Sequence, residues 1–156
     1  MGAPRTALRD PVLFERPALG TSIGRSIGEE AAPRVIILRG TKQHTIGDPV
    51  GIERRSLSPV LPGVNFELIR FKLNPGVNAG IFPAHRPGSR EYLAVETGTL
   101  TLTLSESDHV SHAGDAAYHD GDCPNGYRND GATSCDYYLA MDIAGEHRSV
   151  TVHEAY

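Results

Sequence analysis

The sequence predicts an all-β fold, a small barrel or sandwich of short strands joined by tight turns. Three observations carry this. Apolar and polar residues alternate with period two in run after run, as they do on strands with one buried face. The composition has 17 Gly, 11 Pro and no Trp, which suits many turns. After residue 33 no stretch has a helical period.

Taken in order, residues 1–33 stand apart. Pro4, Pro11, Pro17 and Pro33 exclude a long helix. Leu19, Ile23 and Ile27 recur every four residues, each followed by a glycine. That spacing suits a thin helix face, but three glycines at about 1 kcal/mol each favour a flexible or strand-like arm. The arm, 1–33, is expected to dock on a partner subunit, and 34–156 to form the barrel. RVIIL (34–38) is a short β-branched run, and GIERRSL (51–57) alternates. VNFELIRFKL (64–73) is a long alternating run closed by Asn74-Pro75-Gly76. On it, Phe66, Leu68, Arg70 and Lys72 share one face, and Glu67, Ile69, Phe71 and Leu73 the other; alternation does not say which faces inward. EYLAVE (91–96) turns at Thr97-Gly98 into TLTLTL (99–104), where Leu100, Leu102 and Leu104 share a face. HVSH (109–112) and AAYH (116–119) flank Gly114-Asp115. SCDYYLAMDI (134–143) alternates again, with Cys135, Tyr137, Leu139, Met141 and Ile143 on one side.

The 156 residues suit one domain that can bury roughly 70% of its unfolded surface. A net charge of −4 argues against nucleic acid or an anionic membrane as the main partner. No apolar run approaches the roughly 20 residues that span a bilayer, and the N-terminus lacks a secretion-signal pattern. A cytoplasmic protein is the expectation. Cys123 and Cys135 are expected to be free thiols, and without a CxxC pair they make no case for zinc. Cys123 has no neighbour in sequence that would activate it.

The stretch AHRPGSREYLAVETGTL (84–100) places His85 and Glu91 at the start of a strand that ends at Gly98. Gly80 precedes it. Further on, Gly114-Asp115, Pro124 and Asn129 recur in order. Together these resemble the two motifs of the cupin superfamily: Gly, His-x-His, Glu, Gly, then Gly-Asp, Pro, His, Asn. The Glu-to-Gly spacing fits, and the Gly-to-His spacing is one residue short. The resemblance covers roughly 35–143. It is strongest to the cupin sensor domain of bacterial helix-turn-helix transcription regulators, carried by LRG, IERRSLSP, FELIRFKLNPG, AHRPG, REYLAVETGTL and YRN; no helix-turn-helix is visible in residues 1–33. It implies a single cupin-type β-barrel, a double-stranded β-helix or jelly roll, with an N-terminal arm.

In metal-bearing cupins three histidines and a glutamate hold one divalent ion (Fe, Zn, Ni or Mn). By position, His85 and Glu91 match that set. Pro87 stands where the second histidine belongs and has no lone pair to give; Asn125 stands at the third and offers at most a weak carbonyl. His85, Glu91 and Asn125 are thus the metal candidates, and they fall short of the two-histidine, one-carboxylate minimum. His119 adds a ligand only if it faces inward. His109 and His112 read as surface residues, and His44, His147 and His153 have no companions. No cofactor is the expectation.

Without an ion, a carboxyl among Leu93 and Val95 needs a donor, and His85 is the nearest in sequence. A His–Glu couple suits general acid–base work, with His85 and Glu91 as the catalytic candidates, or the binding of a ligand. Phe66, Arg70, Ile81, Leu93, Tyr118, Asn125, Tyr127, Tyr137 and Met141 are the candidate ligand contacts; tyrosines supply apolar area and a hydroxyl. The expected function is a sensor-like cupin that binds a small organic molecule, as a homodimer. The alternative is an enzyme of small-molecule or secondary metabolism, an isomerase, cyclase or lyase, and less favoured a metal-dependent dioxygenase.

Overall fold

The computed structural model describes residues 35–145. The arm, His147 and His153 lie outside the described residues. Among the described residues ten strands follow one 3-10 turn, Gly40–Lys42: β1 (Thr45–Gly47), β2 (Ile52–Ser56), β3 (Phe66–Leu73), β4 (Asn78–Phe82), β5 (Arg90–Thr97), β6 (Thr99–Leu104), β7 (Ser107–His112), β8 (Ala116–Asp120), β9 (Asn125–Arg128) and β10 (Cys135–Asp142). They form two antiparallel sheets, a six-stranded one in the order β1-β2-β3-β10-β5-β8 and a four-stranded one in the order β4-β9-β6-β7. This is the all-β jelly roll that the alternation predicts.

Seven of the strands fall on the runs read from sequence; β1, β4 and β9 were not anticipated. RVIIL is a correction. Its described residues form no strand, and Val35 is 73% exposed. β-branched residues favour a strand only where a neighbour supplies hydrogen bonds and packing, and Val35–Leu38 pairs with no strand among the described residues.

Register explains how the six-stranded sheet is layered. Leu139 of β10 stands opposite Ile69 on β3 and Leu93 on β5, and Leu93 stands opposite Ala117 on β8. Leu139, Leu93 and Ala117 of this row pack with Leu100 and Leu102 of the other sheet in one apolar core. Burying each such leucine contributes about 1.5–3 kcal/mol. Two residues along each strand, the next inward row reads Glu67, Met141, Glu91 and His119. The apolar core therefore gives way to a polar row at one end of the barrel.

Aromatic rings fill the interior. Phe71 stacks on Tyr137 at 5.2 Å, Tyr137 on Tyr127 at 5.5 Å, and Tyr127 meets Phe82 at 6.1 Å. Gly98 closes the β5–β6 hairpin at φ +78°, and a Cβ there would sit 2.4 Å from the Ser134 carbonyl oxygen. That contact and the left-handed backbone both require glycine. Asn129, the last residue of the second motif, is fully buried and serves the fold. Its amide donates to the carbonyls of Leu73 (3.1 Å), Thr133 (2.8 Å) and Asn74 (3.3 Å), and its Oδ1 accepts from Gly131 N–H at 2.9 Å.

Candidate functional site

Glu91 is the centre of the polar row. Strand alternation on β5 turns Glu91, Leu93 and Val95 inward and Tyr92, Ala94 and Glu96 outward. Glu91 is only 2% exposed. A carboxyl so placed needs donors, and both come from β9. Tyr127 OH donates to Oε2 at 2.9 Å, and Asn125 Nδ2 donates to Oε1 at 3.3 Å. The orientation of the Asn125 amide follows, since its oxygen would face another acceptor. Burial first, and then the Glu91 charge beside it, push the Tyr127 phenol well above its ordinary value, so it remains a proton donor.

Two imidazoles flank the same carboxyl. His85 Nε2 lies 3.6 Å from Oε1 and His119 Nε2 3.6 Å from Oε2. His85 is anchored where its backbone N–H donates to the Gly121 carbonyl at 2.8 Å. Its side chain is 32% exposed, so it links the buried acid to solvent. His119 comes from β8, opposite Glu91, and its side chain is 4% exposed.

The structure thus brings His85, Glu91, Asn125 and Tyr127 to one spot, with Met141 half-buried next to Glu91 in register. Leu93 and Tyr137 lie deeper, as core residues. Four candidate contacts face away, and these are corrections. Ile69 and Leu73 take the inner face of β3, which leaves Phe66 and Arg70 outside. Arg70 is held there by Glu96 at 3.3 Å and Asp136 at 3.0 Å. Ile81 is 57% exposed on β4 beside a register shift. Tyr118 precedes His119 on β8 and therefore points outward, where its ring meets Tyr92 at 5.0 Å and its hydroxyl donates to Asp120 at 2.7 Å. Cys123 and Cys135 are free, and burial raises the Cys123 thiol rather than activating it.

Sequence reasoning left His119 conditional. Choosing Tyr118 as the inward residue of AAYH excludes it, because neighbours on a strand face opposite ways. The signal that decides is the pairing of β5 with β8, which the short AAYH run does not reveal.

The three-histidine, one-glutamate set of a metal-bearing cupin is incomplete here, with Pro87 and Asn125 at two of its positions, although His119 joins His85 beside Glu91. Both imidazoles stand 3.6 Å from a Glu91 oxygen. Both carboxyl oxygens already receive protein hydrogens. Among the described residues, no group of three or more His, Cys, Asp or Glu is gathered to hold an ion.

Comparison with known proteins agrees with this architecture. Residues 69–141 match the family model described as the cupin domain. A search of curated proteins finds no match. Among solved structures, the chain is similar to the cupin domain of an XRE-family transcriptional regulator from Enterobacter cloacae, at 20% identity and a TM-score of 0.55, over 59% of this chain and 96% of that one. It is similar to an RmlC-like cupin from Shewanella frigidimarina at 16% identity and a TM-score of 0.57, over 70% of this chain and 92% of that one. A predicted oxalate decarboxylase from Thermotoga maritima aligns at 18% identity and a TM-score of 0.53, over 69% and 99%. Identities this low speak for the fold alone. Among the described residues no helix is long and apolar enough to cross a membrane. With the matched region 69–141, the two-sheet jelly roll and these neighbours in agreement, the barrel described here has the cupin fold.

Proposed function

We propose that this cupin domain binds a small organic molecule at the Glu91 end of its barrel. One observation carries the reading: a buried carboxyl receives hydrogens from Tyr127 and Asn125 of the opposite sheet, while His85 connects the same group to solvent. A few convergent polar groups at the end of an otherwise apolar interior are the polar part of a small-molecule site. The site is metal-poor on this reading, and its role is sensor-like, in keeping with the fold shared with a transcriptional regulator's cupin domain. The proposal extends to a homodimer with the 1–33 arm docked on the partner subunit.

A second reading has its own support. His85 Nε2 stands 3.6 Å from Glu91 Oε1 and is partly exposed to solvent, so a closure of about half an ångström would make the two a proton-transfer couple. An isomerase, cyclase or lyase would use it with His85 exchanging the proton and Glu91 orienting the ring.

Amide NMR of the 15N-labelled chain, titrated with mixtures of small organic fragments, tests both. Shifts should gather on β5, β8 and β9 around Glu91, His119, Asn125 and Tyr127. Shifts confined to the outer sheet faces, or none at all, refute a barrel site. A bound molecule recovered unchanged after long incubation favours binding. Conversion that stops in His85→Gln favours the enzyme.

A further inference from the structure

His119 presents a buried ring nitrogen without a hydrogen-bond partner. Its Nδ1 lies 3.0 Å from the backbone carbonyl oxygen of Asp120. A carbonyl can only accept, so Nδ1 carries the hydrogen, and in the neutral ring Nε2 presents a lone pair. That Nε2 is buried and has no hydrogen-bond partner. The nearest charged group is Glu91 Oε2 at 3.6 Å, beyond hydrogen-bond range and already accepting from Tyr127. An acceptor therefore faces an acceptor. Buried polar atoms are almost always paired, and an exception calls for a missing partner.

We infer that His119 Nε2 selects the ligand, by accepting a hydrogen bond from an O–H or N–H group that the bound molecule brings beside Glu91. The inference rests on the ligand-binding reading and deepens it. The site takes a hydroxyl- or amino-bearing organic molecule and discriminates against the same molecule capped as an ether. Register supports the placement, since Glu91 and His119 are direct cross-strand partners on the inner row. His85 stands on the other oxygen of Glu91 and opens to solvent, which gives the molecule a way in. A metal ion would also fill a lone pair, which the zinc arm of the test below distinguishes; Glu91 already receives two protein hydrogens.

The test uses the full 15N-labelled chain and two matched pairs, phenol with anisole and benzyl alcohol with benzyl methyl ether. The free protein should show the His119 ring as the neutral Nδ1–H form by its ring nitrogen shifts. Phenol and benzyl alcohol should move the Nε2 resonance and bind at least about tenfold more tightly than their ethers, as expected where a buried acceptor would be left unpaired. His119→Leu should erase that difference, and His119→Gln, whose amide oxygen can still accept, should keep part of it if the leucine variant folds poorly. Alcohols and ethers that shift the same barrel residues with equal affinity overturn the inference and leave the ligand-binding reading standing. Failure of all four to touch the barrel removes both. An imidazolium at His119 in the free protein, or stoichiometric zinc uptake that moves Nε2, overturns the acceptor role.

Discussion

Replacing Glu91 separates what its oxygens do for the fold from what they do for a ligand. In Glu91→Ala both oxygens disappear, leaving the Tyr127 hydroxyl and the Asn125 amide without an acceptor. Each buried, unpaired donor costs about 1–3 kcal/mol. Water entering beside the partly exposed His85 can serve one of them, so the net loss is about 2–4 kcal/mol. For a chain of this size that lowers Tm by about 6–12 °C. Glu91→Gln differs. Its carbonyl keeps the Tyr127 bond, and the Asn125 amide can turn to accept from the new NH2. Charged hydrogen bonds worth about 1.5–3 kcal/mol become neutral ones near 1, while the desolvation cost of a buried charge is removed. These oppose one another, so the change should stay within about 1 kcal/mol, or roughly 3 °C. Differential scanning calorimetry at neutral pH reads both. Equal, large losses in the two variants would mean that the charge itself holds this end of the barrel together, and the reasoning from acceptors would fail.

Two more predictions rest on the fold. Asn129→Ala removes an amide that ties the end of β3, through the carbonyls of Leu73 and Asn74, to the turn before β10, through Thr133 and Gly131; at about 1 kcal/mol for each of its main bonds, urea melts should show a loss of about 2–4 kcal/mol, and a loss under 1 kcal/mol would contradict the burial of that network. Burial pushes the Cys135 thiol up to about 11, so the unfolded chain gives up its proton near pH 9 while the folded one holds it; stability should fall by about 2 kcal/mol between pH 9 and 11, and Cys135→Ala should flatten that step in pH-dependent urea melts.

How much of this is legible in the sequence depends on what sets each feature. Strands with clean alternation, such as Glu91–Val95 and Cys135–Met141, reveal both their existence and their buried face, because period two and burial coincide. β3 alternates equally well, but both of its faces carry large apolar residues, so Phe66 and Arg70 read as plausibly inward as Ile69 and Phe71. The core partners of β3 decide the matter, and they are remote in sequence. β4 and β9 escape notice for another reason. NAGIF and NGYR contain glycines that normally mark turns. Here Gly126 is needed because a Cβ would come within 2.7 Å of the Gly80 carbonyl oxygen, so the glycine marks a close approach of two strands.

That close approach bears on the site. On β9, Asn125 and Tyr127 are two apart and face the barrel, opposite Leu104 and Leu102 of β6. Gly126 between them faces out, against β4. The tripeptide Asn-Gly-Tyr thus does two jobs with one alternation: it seats the strand against its neighbour and delivers two donors to the two oxygens of Glu91. In this chain the residue at the family's third-histidine position is Asn125, a donor to the glutamate where a metal ligand would accept a cation. The alternation of β5 keeps Glu91 inside, and hydrogen-bond donors at the two inward positions of β9 stabilise the acid there. The polar end of the barrel is thus held by hydrogen bonds from β9 to Glu91, the chemistry that the proposed organic ligand would share.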